Sequence, residues 1–217
     1  TLSLCSVMCL KFKENRMLPR HEAFRDKMSV VSSNVRYVLK HKILLMLLLN
    51  SAIITSLILT GSNLYAPFLT YGGISLPVIG IIFGVIYLAD SMAAYVAHKA
   101  DRIFGTSRMI MLSGLLPSLG FLLLAFAYNS VFSIMAISLI SIMVAMRYPL
   151  FSDYINKKIG TRYRSTILSF EATITRATAV VCNPMLGYIV DTTSMGISFF
   201  SLFVLLLILS IGLKVKK

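Results

Sequence analysis

A chain of 217 residues with 57% apolar and only 13% charged side chains is not an ordinary soluble domain, which carries about 25% charge, nor a disordered segment, which is poor in apolar residues. Its mean hydropathy is +0.83, yet its formal net charge is +13. On a soluble protein such a charge points to nucleic acid; on a membrane protein it points to basic loops gathered on one side of a bilayer, and the placement of the 21 Lys and Arg residues decides between the two.

Residues 1–10, TLSLCSVMCL, are apolar but shorter than the roughly 20 residues that a helical crossing needs. They show neither the basic start nor the small-residue cleavage site of a signal peptide. The stretch reads as the cut end of a further membrane helix, and the chain therefore as a fragment. Cys5 and Cys9, one helical turn apart there, and Cys182 in a later span read as apolar packing, because nothing resembles a disulfide framework. Residues 11–42 hold nine Lys and Arg. Within them Phe24, Met28, Val31, Val35 and Val38 fall on one helical face, with Arg25, Lys27 and Arg36 off it. Such a helix either rests on the inner membrane surface or packs on the cytoplasmic ends of its own protein's helices.

Six apolar stretches of spanning length follow, at 43–65, 74–98, 107–127, 131–152, 165–190 and 196–213. None alternates polar with apolar as the roughly 10-residue strands of a membrane barrel do. They predict an all-α polytopic membrane protein, a six-transmembrane-helix bundle over 43–217. The first span has a polar side, Asn50, Ser51, Thr55, Ser56, Thr60 and Asn63, which either walls a cavity or bonds to a neighbouring helix. The second carries the small-xxx-small spacing Gly80-Ile-Ile-Phe-Gly84 and then Asp90, which shares a helical face with Tyr87, Ala94 and Asp101. Asp90 lies about 16 Å from Asp101 along the helix. A carboxylate at that depth either takes up and releases a proton or forms a fixed ion pair, with Arg147 or Arg176 as partner.

The third and sixth spans have no charge in their interiors. The fourth has Arg147 followed by Pro149, a bend that can set the direction of the guanidinium. The fifth has Glu171, about 10 Å from Arg164 along the helix and suited to a structural or gating role, and Arg176 near its middle, which either binds an anionic group or is a paired structural residue. Pro117 and Pro184 also fall within spans, where they free backbone carbonyls.

Nine basic residues lie in 11–42, three in 98–108, four in 156–164 and three in 214–217, while 66–73, 128–130 and 191–195 have none. With six spans the basic segments alternate with the bare ones, which puts 11–42 and the C-terminus in the cytoplasm. No basic loop interleaves exposed aromatics as a nucleic-acid groove does, so nucleic acid is not an expected partner. An intramembrane enzyme is disfavoured: there is no H-E-x-x-H, His21, His41 and His98 lie in or beside loops, and no acid pair has nucleophile spacing. A phosphate-binding G-x-x-x-x-G-K-[ST] is absent too, and no metal or cofactor is expected.

Ala97-His98-Lys99-Ala100-Asp101-Arg102-Ile103-Phe104-Gly105 with Arg108 resembles the G-x-x-x-D-R-x-G-R-R loop of the major facilitator superfamily. It departs from that pattern in having Ala97 in place of Gly and one extra residue before Gly105, as the copy in the second half of those transporters does. Asn156-Lys157-Lys158 with Arg164-Ser165-Thr166-Ile167-Leu168-Ser169 resembles the loop between helices ten and eleven of that superfamily, and Pro184-Met185-Leu186-Gly187 with Asp191 the outer end of helix eleven. The resemblance covers 1–217. It implies that 1–10 end helix six, 11–42 form the central loop, and the six spans are helices seven to twelve. In that architecture seven and ten face the cavity, eight and eleven meet the other half, and nine and twelve lie outside.

The resulting expectation is half of a secondary transporter that moves a small organic solute by rocking two helical bundles about a central site, as a proton-coupled exporter. Asp90 is the expected protonation site; Asn50, Thr55, Arg147, Glu171 and Arg176 are further candidates for the proton or substrate path. Asp101, Arg102, Gly105, Arg108 and Arg164 are assigned a conformational role. The expected partners are the solute, protons, the bilayer and a further six-helix half. A sensor or assembly protein built on the same helices without transport is the alternative.

Overall fold

The computed structural model describes residues 42–212 apart from 128, 159 and 160, with the side chains of 42, 43 and 155–166 outside that description. The apolar stump at 1–10, the amphipathic stripe at 24–38 and the basic tail at 214–217 therefore lie outside the described residues. Everything regular in the described part is helical: α1 (Lys42–Ser62), α2 (Tyr65–Tyr71), α3 (Leu76–Phe104), α4 (Thr106–Ala125), α5 (Ser130–Lys158), α6 (Thr161–Thr192) and α7 (Met195–Gly212).

The fold is all-α, with five stretches long and apolar enough to cross a membrane: Leu44–Tyr71, Leu76–Phe104, Thr106–Ala125, Ser130–Tyr154 and Met195–Gly212. Two boundaries differ from the sequence expectation. The first apolar stretch does not stop near 65 but turns through 63–64 and runs on as α2, so the bare connection shrinks to 72–75. The fifth expected span is one helix of 32 residues but falls short of the apolarity of the other five, because Glu171, Arg176 and a series of threonines dilute it. Those threonines are satisfied within the helix. Thr173, Thr175 and Thr178 donate to the carbonyls of Ser169, Glu171 and Ile174 at 2.8, 2.9 and 2.9 Å, one turn back, so α6 presents fewer unmet hydroxyls than its composition suggests.

Turn chemistry explains the breaks. Gly73 has φ +86° and Gly105 φ +82°, a region that favours glycine; Gly105 alone separates α3 from α4, its N–H donating to the Asp101 carbonyl at 2.8 Å. Extended Ser75 and Pro77 in the first turn start α3.

Helix α1 is the axis. The most apolar part of α1–α2 is 72% buried and that of α3 only 11%. α1 packs on α6 and α7, α4 on α5 and α7, and α3 on α5. Phe121 of α4 stacks on Phe199 of α7 at 6.1 Å, and Phe68 of α2 meets Phe199 edge-on at 5.1 Å. Glycines set the close approaches: a Cβ at Gly61 would lie 2.6 Å from the Phe121 ring and 2.8 Å from Leu202, and one at Gly114 would lie 2.5 Å from Ser210 Oγ. The Gly80/Gly84 pair is not such a contact. Nothing lies within 4 Å of a Cβ at either position, because that side of α3 faces away from the bundle.

The bundle has two unlike ends. At one, Ser130 Oγ donates to the Gly72 carbonyl at 3.4 Å and Gly196 sits against the Ala125 carbonyl; these are the connections without Lys or Arg. At the other, His98 meets Asp153 at 3.5 Å, beside Lys99, Arg102 and Arg108. The alternation of charge along the chain is thus a segregation in space.

Replacing Gly61 with Ala is expected to lower stability by about 1–3 kcal/mol through overpacking against the buried Phe121 ring, whereas Gly80→Ala gains helix propensity of up to about 1 kcal/mol. Thermal denaturation of both purified variants in detergent checks this: opposite signs are expected.

Candidate functional site

The best-ordered polar feature is Arg147. Though 1% exposed, its guanidinium makes four hydrogen bonds, none to a carboxylate. Nε donates to Thr55 Oγ1 at 3.2 Å, Nη1 to Ser113 Oγ at 2.8 Å, and Nη2 to the carbonyl and the side-chain oxygen of Asn50 at 2.9 and 2.8 Å. The guanidinium also lies 4.4 Å from the centre of the Phe151 ring, one turn on in α5, at cation–π distance. Asn50 and Thr55 come from α1, Ser113 from α4. A cation this deep is tolerated only when its donors are met, and here three helices meet them.

Glu171 of α6 is the negative counterpart. Its Oε1 accepts a hydrogen bond from Ser51 Oγ, beside Asn50 on α1. Glu171 and Arg147 line one cavity of about 350 Å³ together with Ser51, Thr55 and Phe151. The polar side of α1 is thereby largely spent on other helices: Asn50 and Thr55 on Arg147, Ser51 on Glu171, and Asn63 on Asn183 of α6 at 3.4 Å. Of the two readings of that stripe, helix-to-helix bonding describes these residues. Ser56 and Thr60 are buried with hydroxyls that have no partner among the described residues.

Asp90 occupies a different place. With Tyr87 and Ala94, the face that the spacing predicted, it lines a larger cavity of about 550 Å³ between α1–α2, α3 and α5. Its Oδ2 accepts from Ser141 Oγ at 2.6 Å, while its Oδ1 is buried without a hydrogen-bond partner among the described residues. The alternative in which Asp90 pairs with Arg147 or Arg176 is not what the structure shows. Arg147 has its donors engaged on the far side of α5, and Arg176 is exposed. Tyr148 and Pro149 line both cavities, so this turn of α5 is the wall between the charged knot and the Asp90 chamber. Tyr65, 6% exposed, lines the larger cavity too, and its hydroxyl has no partner among the described residues.

The loop-motif residues sit at the basic end. Asp101 closes α3, with one buried carboxylate oxygen unpartnered among the described residues; Arg102, Gly105 and Arg108 are exposed, and the side chain of Arg164 is outside the described residues. Among the described residues the ion pair at this end is His98 of α3 with Asp153 of α5, a largely exposed pair that adds little stability in water; Ala97 packs there with Met146 and Leu150 of α5.

Sequence reasoning did not single out Ser113, Ser141, Phe151, Tyr65 or Asp153. Phe151 was within reach of a spacing argument, being one turn from Arg147; the two serines were not, since serine recurs in most of the spans. Among the described residues no three His, Cys, Asp or Glu side chains come together as a metal site. No protein-family model matches the chain, and no curated protein does.

Asn50→Leu removes one acceptor from a buried guanidinium and is expected to destabilise the protein by about 1.5–3 kcal/mol, as for other hydrogen bonds to charged groups. Thermal unfolding in detergent measures it; an unchanged midpoint would show that Arg147 does not need the Asn50 side chain.

Proposed function

We propose that the chain is half of a secondary transporter of the major facilitator type, moving a small organic solute against a proton gradient, with the basic end of the bundle in the cytoplasm. The observation that carries the reading is the 550 Å³ cavity between three apolar helices, walled by a carboxylate with one unmet oxygen. Volumes of about 300–1,000 Å³ with a few fixed polar groups are usual for small-molecule sites. An ionisable residue at membrane depth points by default to an ion or proton path. The sidedness rests on the segregation of Lys99, Arg102 and Arg108 to one end.

Two further features support it. The helices least covered within the chain are α3 and α6, on which few side chains are buried; they correspond to the two that the resemblance places against a second half. The division between a spent pair (Arg147, Glu171) and an unspent carboxylate (Asp90) suits a machine with a rigid frame and one titrating group. The other titratable side chains lining the Asp90 cavity are Tyr65, Tyr87 and Tyr148; among the described residues no His, Lys or Arg lines it. No described basic neighbour in the chamber locks the charge of Asp90.

The test uses the complete protein in proteoliposomes with a trapped pH-sensitive dye and a panel of organic cations, anions and neutral solutes. Solute-dependent collapse of an imposed pH gradient is expected, and Asp90→Asn is expected to reduce it at least tenfold while leaving the protein monodisperse. Unaltered proton flux in the Asn variant removes Asp90 from the coupling, and no flux with any solute favours a non-transporting membrane protein.

A further inference from the structure

We infer that the Asp90 chamber binds an organic monocation, a quaternary or protonated amine carrying an apolar body. This rests on the transport reading and names its substrate class. Charge argues first. Among the described residues Asp90 is the only formally charged one lining the cavity. The nearby intramembrane cation, Arg147, is held behind the wall of α5 by its four neutral-oxygen bonds. An anion entering the chamber meets an unopposed carboxylate; a neutral solute leaves that carboxylate's charge unbalanced in an apolar surround; a monocation balances it one to one.

Unmet hydrogen-bonding capacity points the same way. Asp90 Oδ1 has no donor among the described residues. That oxygen is an acceptor, so the occupant that satisfies it brings an N–H donor or positive charge. A metal ion does not fit: calcium takes six to eight oxygen ligands, and the chamber holds a single carboxylate.

The remaining wall is mostly aliphatic with four aromatic side chains in it. Tyr65, Phe83, Tyr87 and Tyr148 line the cavity, with the Phe83 and Tyr87 rings 6.4 Å apart and inclined at 37°. Ring faces attract ammonium groups, and alkylated ammonium most visibly, since its hydration is weak and its charge is spread. One carboxylate with aromatic rings in the same wall thus suits the head of an organic cation, and a cavity of about 550 Å³ with a largely apolar lining has room for its body. Because a single carboxylate carries either the cation or a proton, the two exchange at one place, which is what coupled counter-movement requires.

The experiment is equilibrium binding to the purified full-length protein in detergent. Its probes are radiolabelled benzyltrimethylammonium, the neutral carbon isostere neopentylbenzene, and benzenesulfonate as the anion. Saturable cation binding is expected, with the isostere at least tenfold weaker and the anion not bound. Asp90→Asn is expected to weaken the cation at least tenfold, Phe83→Leu severalfold, and Asp153→Asn, at the basic end, not at all. Equal binding of cation and isostere by the unaltered protein overturns the proposal without recourse to any variant, and so does undiminished cation binding by a monodisperse Asp90→Asn protein. The two readings fail separately. Cation binding that needs Asp90 without gradient-driven flux refutes transport and leaves the site; flux with an anion or neutral solute but no cation binding refutes the site and leaves transport.

Discussion

A guanidinium enclosed in an apolar bundle has to find its hydrogen bonds within the chain, and the way Arg147 does so organises much of the rest. Thr55 and Asn50 of α1, Ser113 of α4 and the Phe151 ring of α5 converge on it, which fixes the rotation of α1 and α4 about their own axes relative to α5. None of these groups is charged. The positive charge is answered at a distance by Glu171, itself tied to α1 through Ser51. In a low-dielectric surround neutral dipoles held in place can carry a charge when enough of them point at it, and α1, the most buried of the apolar spans, supplies most of them.

That allocation decides what is left over. Asn50, Ser51, Thr55 and Asn63 are engaged with α5 and α6, Ser51 and Thr55 also lining the small cavity beside Arg147 and Glu171, and the chamber on the other side of α5 takes most of its polar groups from other helices. Its polar groups are Ser62 at the end of α1, Tyr65 of α2, Tyr87, Asp90 and Ser91 of α3, and Ser141 and Tyr148 of α5. Tyr148 and Pro149 belong to both sides. A shift in this turn of α5 is therefore felt at the Arg147 knot and in the Asp90 chamber together, a physical route by which occupancy of one affects the packing of the other.

Much of this was legible in the residues. Apolar run length predicted the helices, and the placement of Lys and Arg predicted two unlike ends, because both depend on local sequence alone. The face shared by Tyr87, Asp90 and Ala94 followed from helical spacing and is the face that lines the chamber. Partners were not legible. Asp90 has a serine where one of its two readings placed an arginine, since spacing along one helix says nothing about which helix stands opposite. Gly80 and Gly84 have the right spacing for a close contact and make none, while Gly61 and Gly114, with no motif around them, sit where helices touch. The fifth span misled in the other direction: its composition is polar, but its threonines return their hydrogen bonds to their own helix.

The contrast between the two intramembrane acids carries the functional argument. Glu171 has a hydroxyl donor and an arginine across a small shared cavity, so its charge is anchored and its loss would unbalance the knot. Among the described residues Asp90 has one hydroxyl donor, one empty oxygen and no basic side chain lining its chamber. A carboxylate with a permanent counter-charge holds helices together; one without it is neutralised by whatever arrives, a proton or a cation. The same helix, α5, presents Arg147 to the first and Ser141 to the second, six residues and about 9 Å apart along its axis. The guanidinium and the Asp90–Ser141 bond thus sit on different turns of one helix, beside different cavities, and each is held by its own hydrogen bonds.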